Sequence, residues 1–356
     1  MKCTNKRVIP SFFVCREKNK TFGVEFIVKF ICMNLFRSLA VLALVAVVVS
    51  SCAPGYTPVT NQSPHLALGN PSNAQTNPSS YDNYLLNKPQ FALSYNRSKG
   101  HANWVAWELS PKWLGTIDRQ NDFRPDEALP QDWPKIKPSD YSSSGFDRGH
   151  LCPSADRTNS TSSNSSTFLM TNMIPQAPDL NREAWEHLEQ FSRELVEKGY
   201  KLYITAGAYG TGGEGSKGTA TKLDDVVNVP ARVYKIIVVL PGNASVNEIN
   251  SSTPVIAVDF PNKNSTVKNT SWIRYITTVS ELERKTGMDF FSSLPSSTQS
   301  ALQNARFDYR STSINVDTRC SVYNGNSLYI GKSGGCYYLT ASGKKTYVDR
   351  DLCDCK

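Results

Sequence analysis

The clearest apolar–polar rhythm in the chain lies between residues 179 and 199. Leu180, Ala184, Leu188, Phe191 and Leu195 recur at three- and four-residue spacing, the repeat of one helix face. Asp179, after Pro178, is placed to cap this helix and Gly199 to stop it. The runs 201–206, 233–240 and 255–260 read as strands of a central sheet. The aromatic stretch 104–113 and the short run 167–172 also read as strands. Residues 115–126 read as a loop holding Arg119 and Arg124, 139–145 as turns, and 158–166 as a polar loop without periodicity. Residues 207–217 hold five glycines but no phosphate-loop lysine, so they predict a mobile loop. Ser280 and Glu283 have the spacing of a capping box, opening a short helix that Gly287 ends. This mixture predicts an α+β fold, a central antiparallel or mixed sheet with flanking helices.

The two ends have other patterns. Residues 39–49 are an apolar run preceded by Arg37 and followed by Ser50-Ser51-Cys52. Such a run is short for a membrane span and suits a signal-peptide core. Val49-Ser50-Ser51-Cys52 resembles a bacterial lipobox, which makes Cys52 the expected lipidated residue and a plain secretory signal the alternative. Met33 would give such a signal an ordinary start; residues 1–32 then read as an over-extended reading frame or an unusual leader. Residues 1–52 are thus a signal region. Residues 53–80, rich in Pro, Ser, Thr, Asn and Gln, read as a flexible tether, part of which, near 67–72, can already dock on the folded domain. The expected catalytic domain spans 81–296, a linker 297–319, and a cysteine-rich module 320–356. That module holds Cys320, Cys336, Cys353 and Cys355; in an exported protein these favour disulfides, with three pairings open, over zinc.

The formal charge of +8 overstates what the folded part carries. Eight of the 39 basic and two of the 31 acidic residues fall in 1–52, leaving 31 basic and 29 acidic residues. A phosphate-binding surface must then rest on locally placed arginines, not on overall charge.

The candidate chemistry centres on residues 146–157, Phe-Asp-Arg-Gly-His-Leu-Cys-Pro-Ser-Ala-Asp-Arg. His150 is a candidate general base, and Arg148 beside it a fixed cation for an anionic substrate, which together make half of a phosphodiesterase site. Further on, Asn181, Trp185, Glu189 and Arg193 recur every four residues along the helix. At about 100° per residue each step of four drifts by roughly 40°, so these four make a slowly turning line beside the apolar stripe. An amide oxygen, a carboxylate and a guanidinium on one edge suit a hydrated cation next to a phosphate. Cys152 reads as a small buried residue, His187 as surface or structural, His65 as part of the tether and His101 as part of a turn.

Asp147-Arg148-Gly149-His150, then 171–176, then Leu180-Asn181-Arg182 and Trp185…Glu189, resemble the DNA/RNA non-specific endonuclease family of the endonuclease G type. Residues 67–72, 104–107, 119–126, 233–240 and 282–295 extend the resemblance over most of the folded chain. It implies a ββα-metal finger with His150 as general base, Asn181 as the direct ligand of Mg2+ (Mn2+ as the alternative), and Glu189 holding waters around the ion. It also implies Arg119, Arg148 and Arg193 as phosphate contacts, with Asp147 orienting backbone or Arg148. The expected activity is metal-dependent, sequence- and sugar-non-specific cleavage of DNA and RNA by an exported protein tethered to a membrane through Cys52. Two rivals are a non-catalytic nucleic-acid-binding lipoprotein and a metal phosphodiesterase for small substrates. Oligomeric state is not legible in the sequence.

Overall fold

The computed structural model describes residues 63–308, 314, 318–323, 326–331 and 334–353. The signal region, Cys52, the first part of the tether and Cys355 lie outside the described residues.

Seven strands form one antiparallel sheet in the order Tyr84–Asn87, Ala92–Asn96, His101–Leu109, Tyr200–Tyr209, Arg232–Pro241, Val255–Pro261, Ile276–Thr277. The three expected apolar runs are its fourth, fifth and sixth strands; residues 233–240 and 255–260 are buried throughout and so read as continuous, whereas 201–206 alternates buried Leu202, Ile204 and Ala206 with half-buried Lys201, Tyr203 and Thr205. Side chains alternate between two cores. Val233, Ile237 and Val239 join Leu180, Ala184, Leu188, Phe191 and Leu195 on one face, so the predicted helical stripe packs where its rhythm placed it. Tyr234, Ile236, Val238 and Leu240 face the helices Val279–Thr286 and Ser296–Asn304 on the other.

Several expectations need correction. The aromatic strand ends at Leu109, and Pro111 opens a 3-10 turn; His101, expected in a turn, is the strand's buried first residue. The run 167–172 is a turn, a single bridge residue at Leu169 and a 3-10 turn, the strand following at Met173–Gln176. The polar loop contains a short helix, Thr161–Ser166, capped by Ser160. The glycine-rich stretch folds into a hairpin, Gly213–Gly215 with Gly218–Ala220. Thr278, not Ser280, caps the helix that Gly287 ends: its side chain accepts from Glu281 N. The end of the expected tether is packed: Leu66 and Ala74 are buried, Trp104 Nε1 donates to Ser72 Oγ at 2.8 Å, and buried His65 lies 2.8 Å from Pro89 O. The expected linker begins as helix Ser296–Asn304, whose Gln299 and Gln303 amides donate to Phe290 O. Beyond it a four-stranded meander joins Cys336 to Cys353, and its Leu328 and Ile330 share a buried cluster with Phe191.

Candidate active site

Apart from the main sheet, Asp147–His150 and Met173–Gln176 pair as an antiparallel ribbon, Asp147 opposite Gln176 and His150 opposite Met173. Asp-Arg-Gly-His has little strand preference of its own. Contacts from elsewhere hold it. Buried Asn172 accepts from Cys152 N at 2.9 Å and donates to Cys152 O and Thr167 O, both at 2.8 Å, clamping the chain just past His150. Asn262 accepts from Ala177 N at 2.7 Å and donates to Pro175 O and Pro230 O, tying the ribbon's exit to the sheet. Gly149 is sterically required: a Cβ there would meet Gln176 Oε1 at 2.1 Å.

His150 is 8% exposed and walled by two aromatic rings, Phe168 at 4.9 Å and Phe123 at 5.6 Å. Its Nε2 is buried with no partner among the described residues. Burial first, then the Arg119 and Arg148 guanidiniums, push its pKa down to about 3. Arg119 is fixed by bonds to Ser154 Oγ at 2.7 Å and Asn121 Oδ1 at 2.8 Å, and lies over the Phe168 ring at 4.8 Å. Arg148 is exposed and stacks on Phe123 at 4.4 Å. Two fixed cations therefore flank one neutral imidazole. Cys152 is a buried thiol pushed up to about 12 by burial, an inert group as expected.

The helix after the ribbon does not start as expected. Residues Leu180–Ala184 form a wide turn in which Trp185 N donates to Leu180 O, five residues back, and the regular helix is Trp185–Glu197. Asp179 makes no side-chain cap. The extra residue in the turn breaks the predicted line of four. Trp185 is fully buried, while Asn181 turns toward the ribbon. There Asn181 Nδ2 donates to Asp147 Oδ2 at 2.9 Å, and Arg182 donates twice to the same carboxylate at 2.9 and 2.7 Å. Asp147 thus orients Asn181, not Arg148. With its amide nitrogen committed, Asn181 leaves its carbonyl oxygen without a protein partner among the described residues.

Glu189 and Arg193 keep their helical relation one turn further on. Arg193 donates to buried Asp156 at 3.1 Å, and Trp107 Nε1 holds the other Asp156 oxygen at 3.0 Å. Glu189 is 11% exposed and meets Lys235 Nζ at 3.4 Å. Its charge also acts on Arg119, opposing the lowering that burial imposes there, which links this group to the His150 end. Lys235, Phe123 and Phe168 carry no signal as site residues in the sequence alone. Among the described residues no cluster of three or more His, Cys, Asp or Glu is placed to hold a metal. One free amide oxygen beside a carboxylate suits a hard cation that keeps most of its waters and takes substrate oxygens for the rest.

The family model of the DNA/RNA non-specific endonucleases matches residues 68–297. The chain belongs to this family. A nuclease of Nostoc sp. (strain PCC 7120) is 48% identical over 279 residues, covering 76% of this chain and 98% of the relative. The mitochondrial nuclease of Saccharomyces cerevisiae is 31% identical over 229 residues, 61% of this chain and 68% of its own. Human mitochondrial endonuclease G is 36% identical over 125 residues, 35% and 42% respectively. A crystal structure of an EndoG/EndoGI complex matches with a TM-score of 0.54 and 23% identity, over 66% of this chain and 92% of that one. It shares the fold. This non-specific endonuclease is therefore a hydrolase of nucleic-acid phosphodiester bonds, in a family of metal-dependent enzymes.

Proposed function

We propose that the enzyme cuts DNA and RNA internally, without sequence or sugar preference. His150 acts as general base and Asn181 as the protein ligand of a hydrated Mg2+, Mn2+ being the alternative. The observation that carries this reading is a buried, unpartnered imidazole between two phosphate-seeking guanidiniums. His150 takes the proton of the attacking water. A pKa near 3 keeps it neutral and receptive, yet makes it a weak base. A phosphate docked on Arg119 and Arg148 would offset the two charges that help depress it, so the substrate itself raises the base toward its working range. Arg193, braced by Asp156, gives a third phosphate contact. Asn181 would hold the cation through its free oxygen, and Glu189 would hold the surrounding waters. A cation bound there would supply charge stabilisation to the phosphate and the departing 3′ oxygen. All these groups address phosphate, the attacking water or the metal, and none addresses a base edge, which accounts for cleavage without sequence preference.

The test uses purified protein on supercoiled plasmid, with and without EDTA. His150→Ala should lower turnover roughly 10²–10⁴-fold while leaving DNA affinity near wild type. Near-wild-type cutting by that variant removes His150 from the reaction, and products released only from chain ends refute internal cleavage. We further propose, from the apolar run and Cys52, that the enzyme is exported and held to a membrane by a lipidated Cys52.

A further inference from the structure

The strand Arg232–Pro241 presents Val233, Lys235, Ile237 and Val239 to the face of the sheet covered by helix Trp185–Glu197. Three are apolar and one is charged. The Lys235 side chain is 1% exposed, lying under Trp185–Glu197. An ammonium so placed carries a large desolvation cost that only good partners offset. Lys235 Nζ lies 3.9 Å from the centre of the Trp185 ring and 5.8 Å from that of Trp107, both indoles being buried. Its carboxylate partner is Glu189 Oε1, at 3.4 Å. The second Glu189 oxygen has no protein partner among the described residues. The wider setting is equally polar: Asp156 and Arg193 act on both members of the pair.

We infer that Lys235 is a positioning residue for Glu189, holding one carboxylate oxygen from beneath so that the other stays aimed at the water shell of the cation. The inference deepens the function proposed above and rests on it. Glu189 sits where burial alone favours the neutral carboxylic acid, and a neutral acid is a poor acceptor for cation-bound water. Lys235 is the cation beneath it. The two indoles wall the ammonium in and keep it from reaching solvent. Together they fix which oxygen is used up and which is left.

The experiment compares wild type, Lys235→Met, Glu189→Gln and the double variant, as full-length proteins. Three quantities are measured: turnover on plasmid, Mn2+ affinity by titration calorimetry, and DNA affinity without metal. Lys235→Met should lower turnover and Mn2+ affinity roughly 10–100-fold, the scale set by partners of metal-organising groups. Metal-free DNA affinity should not move, a pattern that mere loss of folding cannot give. If Lys235 acts through Glu189, the double variant is no worse than Glu189→Gln alone. Losses that multiply, or wild-type turnover and metal affinity in Lys235→Met, overturn the inference. Should Lys235→Met not fold, Lys235→Gln keeps an N–H donor and carries the same comparison. A Glu189→Gln enzyme with wild-type turnover would instead strike the proposed role of Glu189, and so separates the two failures.

Discussion

Gly149→Ala adds one methyl group next to His150 and tests whether the ribbon's fit matters for turnover. The added Cβ would lie 2.1 Å from Gln176 Oε1, 2.6 Å from Gln176 Cβ and 3.0 Å from Gln176 Cδ. Ordinary contact begins at 3.4 Å, so roughly 1.3 Å must be found. Gln176 is fully buried and cannot swing into solvent. The nearest contact is a side-chain oxygen, but the next is Cβ, which moves only with the strand. The two strands must therefore separate. Overpacking of this kind costs about 1–3 kcal/mol, worth roughly 2–4 °C of melting temperature per kcal/mol in a domain of this size. The chemical cost is larger, because displacing a catalytic group by about 1 Å loses on the order of 10²-fold in rate. Differential scanning fluorimetry and plasmid nicking at saturating metal measure both quantities. Gln176→Ala would not relieve the clash, since it keeps Cβ; only glycine at 176 would. A Gly149→Ala enzyme that melts and cuts like wild type refutes the steric argument. One that melts lower but cuts normally refutes the link between ribbon spacing and chemistry.

Three buried histidines should make the enzyme acid-labile. His65 and His101 are pushed down to about 4 and His150 to about 3, burial being the first cause in each. Their folded values lie below the unfolded one of about 6.5, so the unfolded chain binds more protons. The stability they contribute is complete above that value and is lost as pH falls from there toward 4 and then 3. Near pH 5 each gives a slope of about 1.4 kcal/mol per pH unit; urea unfolding at pH 5 and 7 should show the loss, and His101→Gln should remove about a third of it. An unfolding free energy independent of pH in that window would contradict the burial of all three. Separately, Cys52→Ser should move the enzyme from the membrane fraction to the soluble exported fraction, read by fractionation and immunoblot; an unchanged distribution rejects lipidation at Cys52.

How far the sequence reveals this molecule depends on which contacts make each element. The central strands and the stripe Leu180, Ala184, Leu188, Phe191 and Leu195 were readable because burial against a sheet imposes a period on residue type. The ribbon was legible only through the family resemblance, which implied a ββα finger; its strands are held by Asn172, Asn262 and the close approach of Gly149 to Gln176, none of which leaves a local pattern. The helix edge was readable only from Trp185 onward. A constant step of 3.6 residues cannot anticipate the wide turn, yet that turn is what swings Asn181 onto Asp147.

The same limit explains why Lys235 escaped notice. Within the run 233–240 a single lysine is indistinguishable, by composition, from an imperfection in a strand. Only the sheet's register, which sets Lys235 opposite Ala206 and beneath the helix, shows that a charge was placed where an aliphatic side chain would cost less. A buried cation at an apolar position needs a reason of its own, and the nearest one is the carboxylate of Glu189, which needs a charge behind it to remain an acceptor in the cleft.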